Sequence, residues 1–115
     1  MTMDKDSVDF IRGFRRISKR VHANSINKGW EENKNELSII ANLHSEVTEF
    51  FEALVKGDPA DEHCPEFSNA EVEQADIILR IMGNAEAKGY RIAEALIEKM
   101  KYNVTRSYRH GNKEY

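Results

Sequence analysis

The stretch from residue 69 to residue 88 restricts the fold of this chain more than any other, because apolar side chains sweep nearly all the way round its helical wheel. At about 100° per residue, Val72, Ile77, Ile78, Leu79, Ile81, Met82 and Ala85 cover most of the circumference. Glu73, Asp76, Arg80 and Asn84 share the narrow sector that remains. A helix apolar on so many sides is normally buried, and carboxylates carried into a core are costly unless paired or bound to a metal. The polar stripe therefore needs a partner elsewhere in the chain. The helix itself is well bounded: Ser68-Asn69-Ala70-Glu71 matches a capping box, and Gly89 supplies a stop.

Three further segments show helical spacing. From Ser7 to about Val21, Phe10, Phe14, Ile17 and Val21 trace one face. From about Glu36 to Lys56, Leu43, Val47, Phe50, Phe51 and Leu54 form an apolar stripe that Gly57 ends, with Phe50 and Phe51 expected in the core. From Arg91 to about Tyr108, Ile92, Leu96, Met100 and Val104 recur on one face, and the helix should stop before Gly111. Between the first two, His22 to Asn35 is rich in asparagine, carries Gly29 and reads as a long loop, a length more often functional than idle. Gly57 to Phe67, with Pro59 and Pro65, reads as a second loop. The expectation is one all-α domain spanning residues 1–115, a four-helix bundle.

At 115 residues such a bundle buries only about two-thirds of its unfolded surface, so it stands to gain by pairing with a copy of itself. The formal net charge of -3 gives no general attraction to nucleic acid, and Arg15, Arg16, Lys19 and Arg20 read as a solvated helix face. Cys64 is the only cysteine and no apolar run is long enough for a membrane span or signal peptide, so the expected setting is the cytoplasm, with no membrane partner.

The second helix offers the partner that the third requires. Glu46 and Glu49 stand three residues apart and project from one side on successive turns, while Glu52 points away and reads as solvated. Facing Glu73 and Asp76 across two antiparallel helices, they would make an all-oxygen site suited to Mg²⁺ or Mn²⁺. Acidic residues at helical spacing are also common as plain surface decoration, but the apolar context of Glu73 and Asp76 leaves little solvent-facing surface for that reading. On the fourth helix, Lys99, Asn103 and Arg106 fall on one edge, either as donors for phosphate oxygens or as a solvated basic edge. Trp30, the only tryptophan, either stacks on a base or plugs the bundle end. The four histidines show no metal spacing among themselves, and His63 beside Cys64 is a weak zinc signal.

Taken in order, Glu46-Val47-Thr48-Glu49 and Glu73-Gln74-Ala75-Asp76 resemble the paired Glu-x-x-Glu and Glu-x-x-Asp motifs of the MazG-like nucleotide pyrophosphohydrolases. The segment from Lys99 to Gly111 is similar to that family's tail, and the resemblance spans about Trp30 to Gly111. It implies a MazG-like bundle completed by homodimerisation or a dimer of dimers. It also implies Mg²⁺ on Glu46, Glu49, Glu73 and Asp76, and hydrolysis of nucleoside triphosphates between the α and β phosphates. Glu49 is the candidate general base, and Lys99, Asn103, Arg106 and Trp30 are the candidate substrate contacts. One departure is Ser45, where many relatives carry a further glutamate.

Two other readings compete. Phosphoribosyl-ATP pyrophosphohydrolase uses the same acidic logic, and a non-enzymatic helical module could present the acidic stripe to a basic partner. A di-iron carboxylate bundle needs Glu-x-x-His, and Asp76 sits where the histidine would be.

Overall fold

Local hydrogen-bonding devices set the helix boundaries. The Asp4 carboxylate accepts from the Ser7 N–H at 2.8 Å and starts α1, Lys5–Asn27. Asn35 and Ser38 form a reciprocal box, each backbone N–H donating to the other's side chain, and start α2, Glu36–Val55. Ser68 and Glu71 do the same at 3.1 and 3.2 Å for α3, Asn69–Lys88, whose end is fixed by Gly89 in the left-handed region at φ 73°. The last helix, α4, is Ile92–Val104. This is a computed structural model describing residues 3–109; among them the protein is all-α, with four helices and no strand. None of these helices is long and apolar enough to cross a membrane.

Helix α3 is the central element, packing against α1 on one side and α2 on the other, while α4 lies against α1. Gly83 permits the α1–α3 approach, since a Cβ there would stand 3.3 Å from Val21 Cγ1. The α2–α3 connection is tied down by two aspartates. Asp58 accepts from the Ala70 N–H at 2.7 Å, and the buried Asp61 accepts from the N–H groups of His63 and Cys64 at 2.9 Å each.

Several boundaries and faces differ from the sequence expectation. Helix α1 does not stop at Val21 but continues to Asn27, so the loop after it is residues 28–35. The asparagines of this stretch are tolerated because they lie on an amphipathic helix that a neighbour supports. The inward face of α1 is Ser7, Ile11, Phe14, Ser18 and Val21, with both serines buried, whereas Phe10 and Ile17 stand at its exposed edge. On α2 the inward residues are Ile39, Glu46 and Ala53, with Leu43 and Phe50 half-buried. Phe51, expected in the core, is 65% exposed, and Val47 and Leu54 are exposed with it. Helix α4 ends at Val104, not near Tyr108, and buries Ala93 and Ile97 while Leu96, Met100 and Val104 face outward. His110 and Gly111, part of the expected tail, lie outside the described residues.

These exposed faces have a common physical cause. The chain exposes 9080 Å², against about 6,450 Å² for a compact monomer of this mass. Its radius of gyration is 16.8 Å, against about 13 Å for a compact chain of this length. No large side chain among the described residues is fully buried. One chain thus supplies too few helix faces to cover its own apolar stripes, including Ile78, Leu79 and Ile81 on α3.

Candidate metal and nucleotide site

The α2–α3 pairing brings three of the four expected carboxylates together. Glu46, Glu49 and Glu73 each offer an oxygen within 4.8 Å of the others, Glu46 buried, Glu73 half-buried and Glu49 exposed. Spacing explains the convergence: Glu46 and Glu49 are one turn apart on α2, and Glu73 lies on the α3 face that packs against them. Asp76, a turn beyond Glu73, stands beside this trio and lines the adjoining cavity.

The electrostatics are those of crowded like charges. Burial pushes the Glu73 carboxyl up to about 7, with the charges of Glu49, Glu46 and Asp76 acting in the same direction. Glu49 is raised by the neighbouring Glu46 carboxyl, and further by burial. Asp76 is raised by burial and by the Glu46 charge, against which the Arg80 guanidinium acts. Glu46 Oε2 and Glu73 Oε2 are both buried without a hydrogen-bond partner. Buried carboxylate oxygens without donors are costly unless a cation serves them. A set made entirely of oxygens fits Mg²⁺ or Mn²⁺ in preference to a softer metal.

A cavity of about 830 Å³ opens beside the carboxylates, within the size range of small-molecule sites. Glu46, Asp76 and Arg80 stand on its wall. Trp30 is also on that wall, 61% exposed, so the tryptophan does not plug a closed bundle end. The loop that carries it is pinned in two places. The Trp30 N–H donates to Ser25 O at 2.9 Å, and Glu31 pairs with Lys34 at 2.7 Å.

Sequence reasoning missed Asn24, Lys34 and Asn42 on this wall, and took Arg20, also there, for a solvated residue. Asn42 had a usable signal, since it falls on the same α2 face as Ile39 and Glu46 at spacings of three and four. Lys34 had none. Asn84, noted in the polar stripe of α3, lines the cavity with a buried, unpartnered Oδ1.

Lys99, Asn103 and Arg106 are not brought to this cavity by their own chain. All three are exposed at the far end of α4 or just beyond it, and the Lys99 ammonium lies 4.6 Å from the centre of the Tyr102 ring. Comparison with family models, curated proteins and solved structures found nothing that matches this chain.

Proposed function

We propose that the protein is a Mg²⁺-dependent pyrophosphohydrolase of the MazG-like kind, cleaving ribo- or deoxyribonucleoside triphosphates between the α and β phosphates and so clearing unwanted nucleotides from the pool. The observation that supports this reading best is the meeting of Glu46, Glu49 and Glu73 within 4.8 Å beside a ligand-sized cavity. Carboxylates crowded this way are unfavourable in themselves and call for a divalent cation.

In this reading Glu46, Glu49, Glu73 and Asp76 hold the metal. Mg²⁺, when bound, supplies charge neutralisation for phosphate oxygens and lowers the pKa of a neighbouring water. Glu49, the most exposed of the convergent three and raised in pKa by its neighbours, is the candidate proton acceptor. Trp30 offers a flat apolar surface for the base on the wall of the same cavity.

Lys99, Asn103 and Arg106 hold the triphosphate tail in this proposal. Because their own chain keeps them off the cavity, they do so across a homodimer, in which the exposed stripes of α2 and α4 also find cover. The test is Glu46→Gln, which keeps the side-chain volume and removes the charge. It should lose at least about 99% of turnover while keeping the helical circular dichroism of the parent. Near-normal turnover in the folded variant rejects the metal assignment.

A further inference from the structure

Arg80 lies where the carboxylates meet the cavity, and its geometry there is specific. Its Nε donates to Glu46 Oε1 at 2.9 Å, and its Nη2 lies 2.8 Å from the same oxygen as an ion pair. Glu46 is almost wholly buried, its side chain 9% exposed, whereas the Arg80 side chain is 41% exposed and lines the cavity. This side-on contact with one buried carboxylate oxygen orients the guanidinium. A guanidinium has five N–H donors in a rigid fork, and those of its other edge remain for a ligand. Glu46 Oε2 has no hydrogen-bond partner and stays available to a cation.

The other cations of the cavity are placed differently. Lys34 is committed to Glu31 at 2.7 Å, and Arg20 reaches the wall from α1. Arg80 alone among these is attached to the carboxylate cluster itself. A polyphosphate drawn to a metal on that cluster would bring its oxygens beside this fork, and a guanidinium fork matches phosphate oxygens in pairs.

We infer that Arg80 is a phosphate-binding residue of this site, oriented by Glu46, which serves the guanidinium through Oε1 and the divalent cation through Oε2. The inference deepens the proposed function and rests on it for the metal. It gives the cavity a phosphate clamp supplied by the same chain as the carboxylates, independent of Lys99, Asn103 and Arg106 on α4.

Equilibrium binding of two probes, Mn²⁺ alone and inorganic triphosphate with Mg²⁺, tests it by calorimetry on the parent, Arg80→Gln and Arg80→Lys. Arg80→Gln should weaken triphosphate binding at least tenfold while binding Mn²⁺ as tightly as the parent or more tightly, because a competing positive charge is gone. Arg80→Lys should fall between, since one point charge cannot both hold Glu46 and present a fork. Triphosphate affinity within twofold of the parent in folded Arg80→Gln overturns the inference. So does a parallel loss of both probes, which is what a merely structural ion pair predicts. Should the variants not fold, the side-chain Nε–H resonance of Arg80 in the parent decides: it should shift on adding inorganic triphosphate with Mg²⁺ beyond its response to Mg²⁺ alone, and an unchanged resonance overturns the inference. A parent that binds triphosphate through Arg80 but takes up no Mn²⁺ removes the metal reading and leaves the phosphate clamp standing.

Discussion

Glu73→Gln removes one negative charge from a cluster whose oxygens lie within 4.8 Å of one another. At that separation each pair of charges repels by about 1 kcal/mol in a water-like medium and about 3.5 kcal/mol at an effective dielectric of 20. The protonation behaviour gives a second measure. The Glu73 carboxyl is raised from 4.5 to about 7, a difference that corresponds to at most about 3.4 kcal/mol. Solvent screening of a partly exposed group reduces this to about 1–2 kcal/mol. For an acid raised in the folded state, the folded protein holds more protons than the unfolded one between the two pKa values. Stability therefore falls as pH rises from about 4.5 to about 7 and stays low above that. Glu49 and Asp76, also raised, contribute in the same sense. In the presence of a chelator the parent should melt about 4–8 °C lower at pH 8 than at pH 5, taking roughly 4 °C per kcal/mol for a domain of this size. Glu73→Gln should lose most of that dependence and melt above the parent at pH 8. Mg²⁺ at about 100 times its dissociation constant adds roughly 2.7 kcal/mol to the parent, and the variant should lose most of this gain. Thermal melts of both proteins at the two pH values, with chelator and with Mg²⁺, check all three effects. A parent indifferent to Mg²⁺, or a variant that keeps the full shift, refutes the reasoning.

Trp30→Ala should weaken nucleotide binding by roughly 1–3 kcal/mol, read by calorimetry with a non-hydrolysable triphosphate, and leave Mn²⁺ binding unchanged. Phe51→Glu places a charge in the exposed apolar stripe of α2 and should shift the protein toward monomer in light scattering at micromolar concentration. Lys99→Ala should weaken triphosphate binding more than nucleoside binding, and equal losses for the two ligands would move Lys99 out of the phosphate site.

The parts of this fold that were legible in the sequence are those coded by neighbouring residues. The Ser68–Glu71 box, the Gly57 and Gly89 stops and the three-residue spacing of Glu46 and Glu49 are local devices, and each has its expected place. The inward face of α1 was not legible, because Ser7 and Ser18 are small and polar and fill a close helix contact without raising the apolar count. The exposure of Phe51, Leu96 and Met100 escaped for a related reason: periodicity shows that a face is apolar but not whether the same chain covers it. Arg80 was visible in the polar stripe of α3, yet its bond to Glu46 joins residues 34 apart and depends on how α2 and α3 pack. Similarly, Asn24, Lys34 and Asn42 come to one cavity from two helices and a loop, and no local pattern joins them.

Cleavage of a nucleoside triphosphate at its α–β bond is the role proposed for the carboxylate cluster. Its most direct test is product analysis with a panel of ribo- and deoxyribonucleoside triphosphates in Mg²⁺, resolving monophosphate, diphosphate, pyrophosphate and phosphate. Equal amounts of nucleoside monophosphate and pyrophosphate are expected from at least one member of the panel, abolished by chelator. Release of phosphate with nucleoside diphosphate, or no turnover of any member by the folded protein with Mg²⁺ or Mn²⁺, would contradict it.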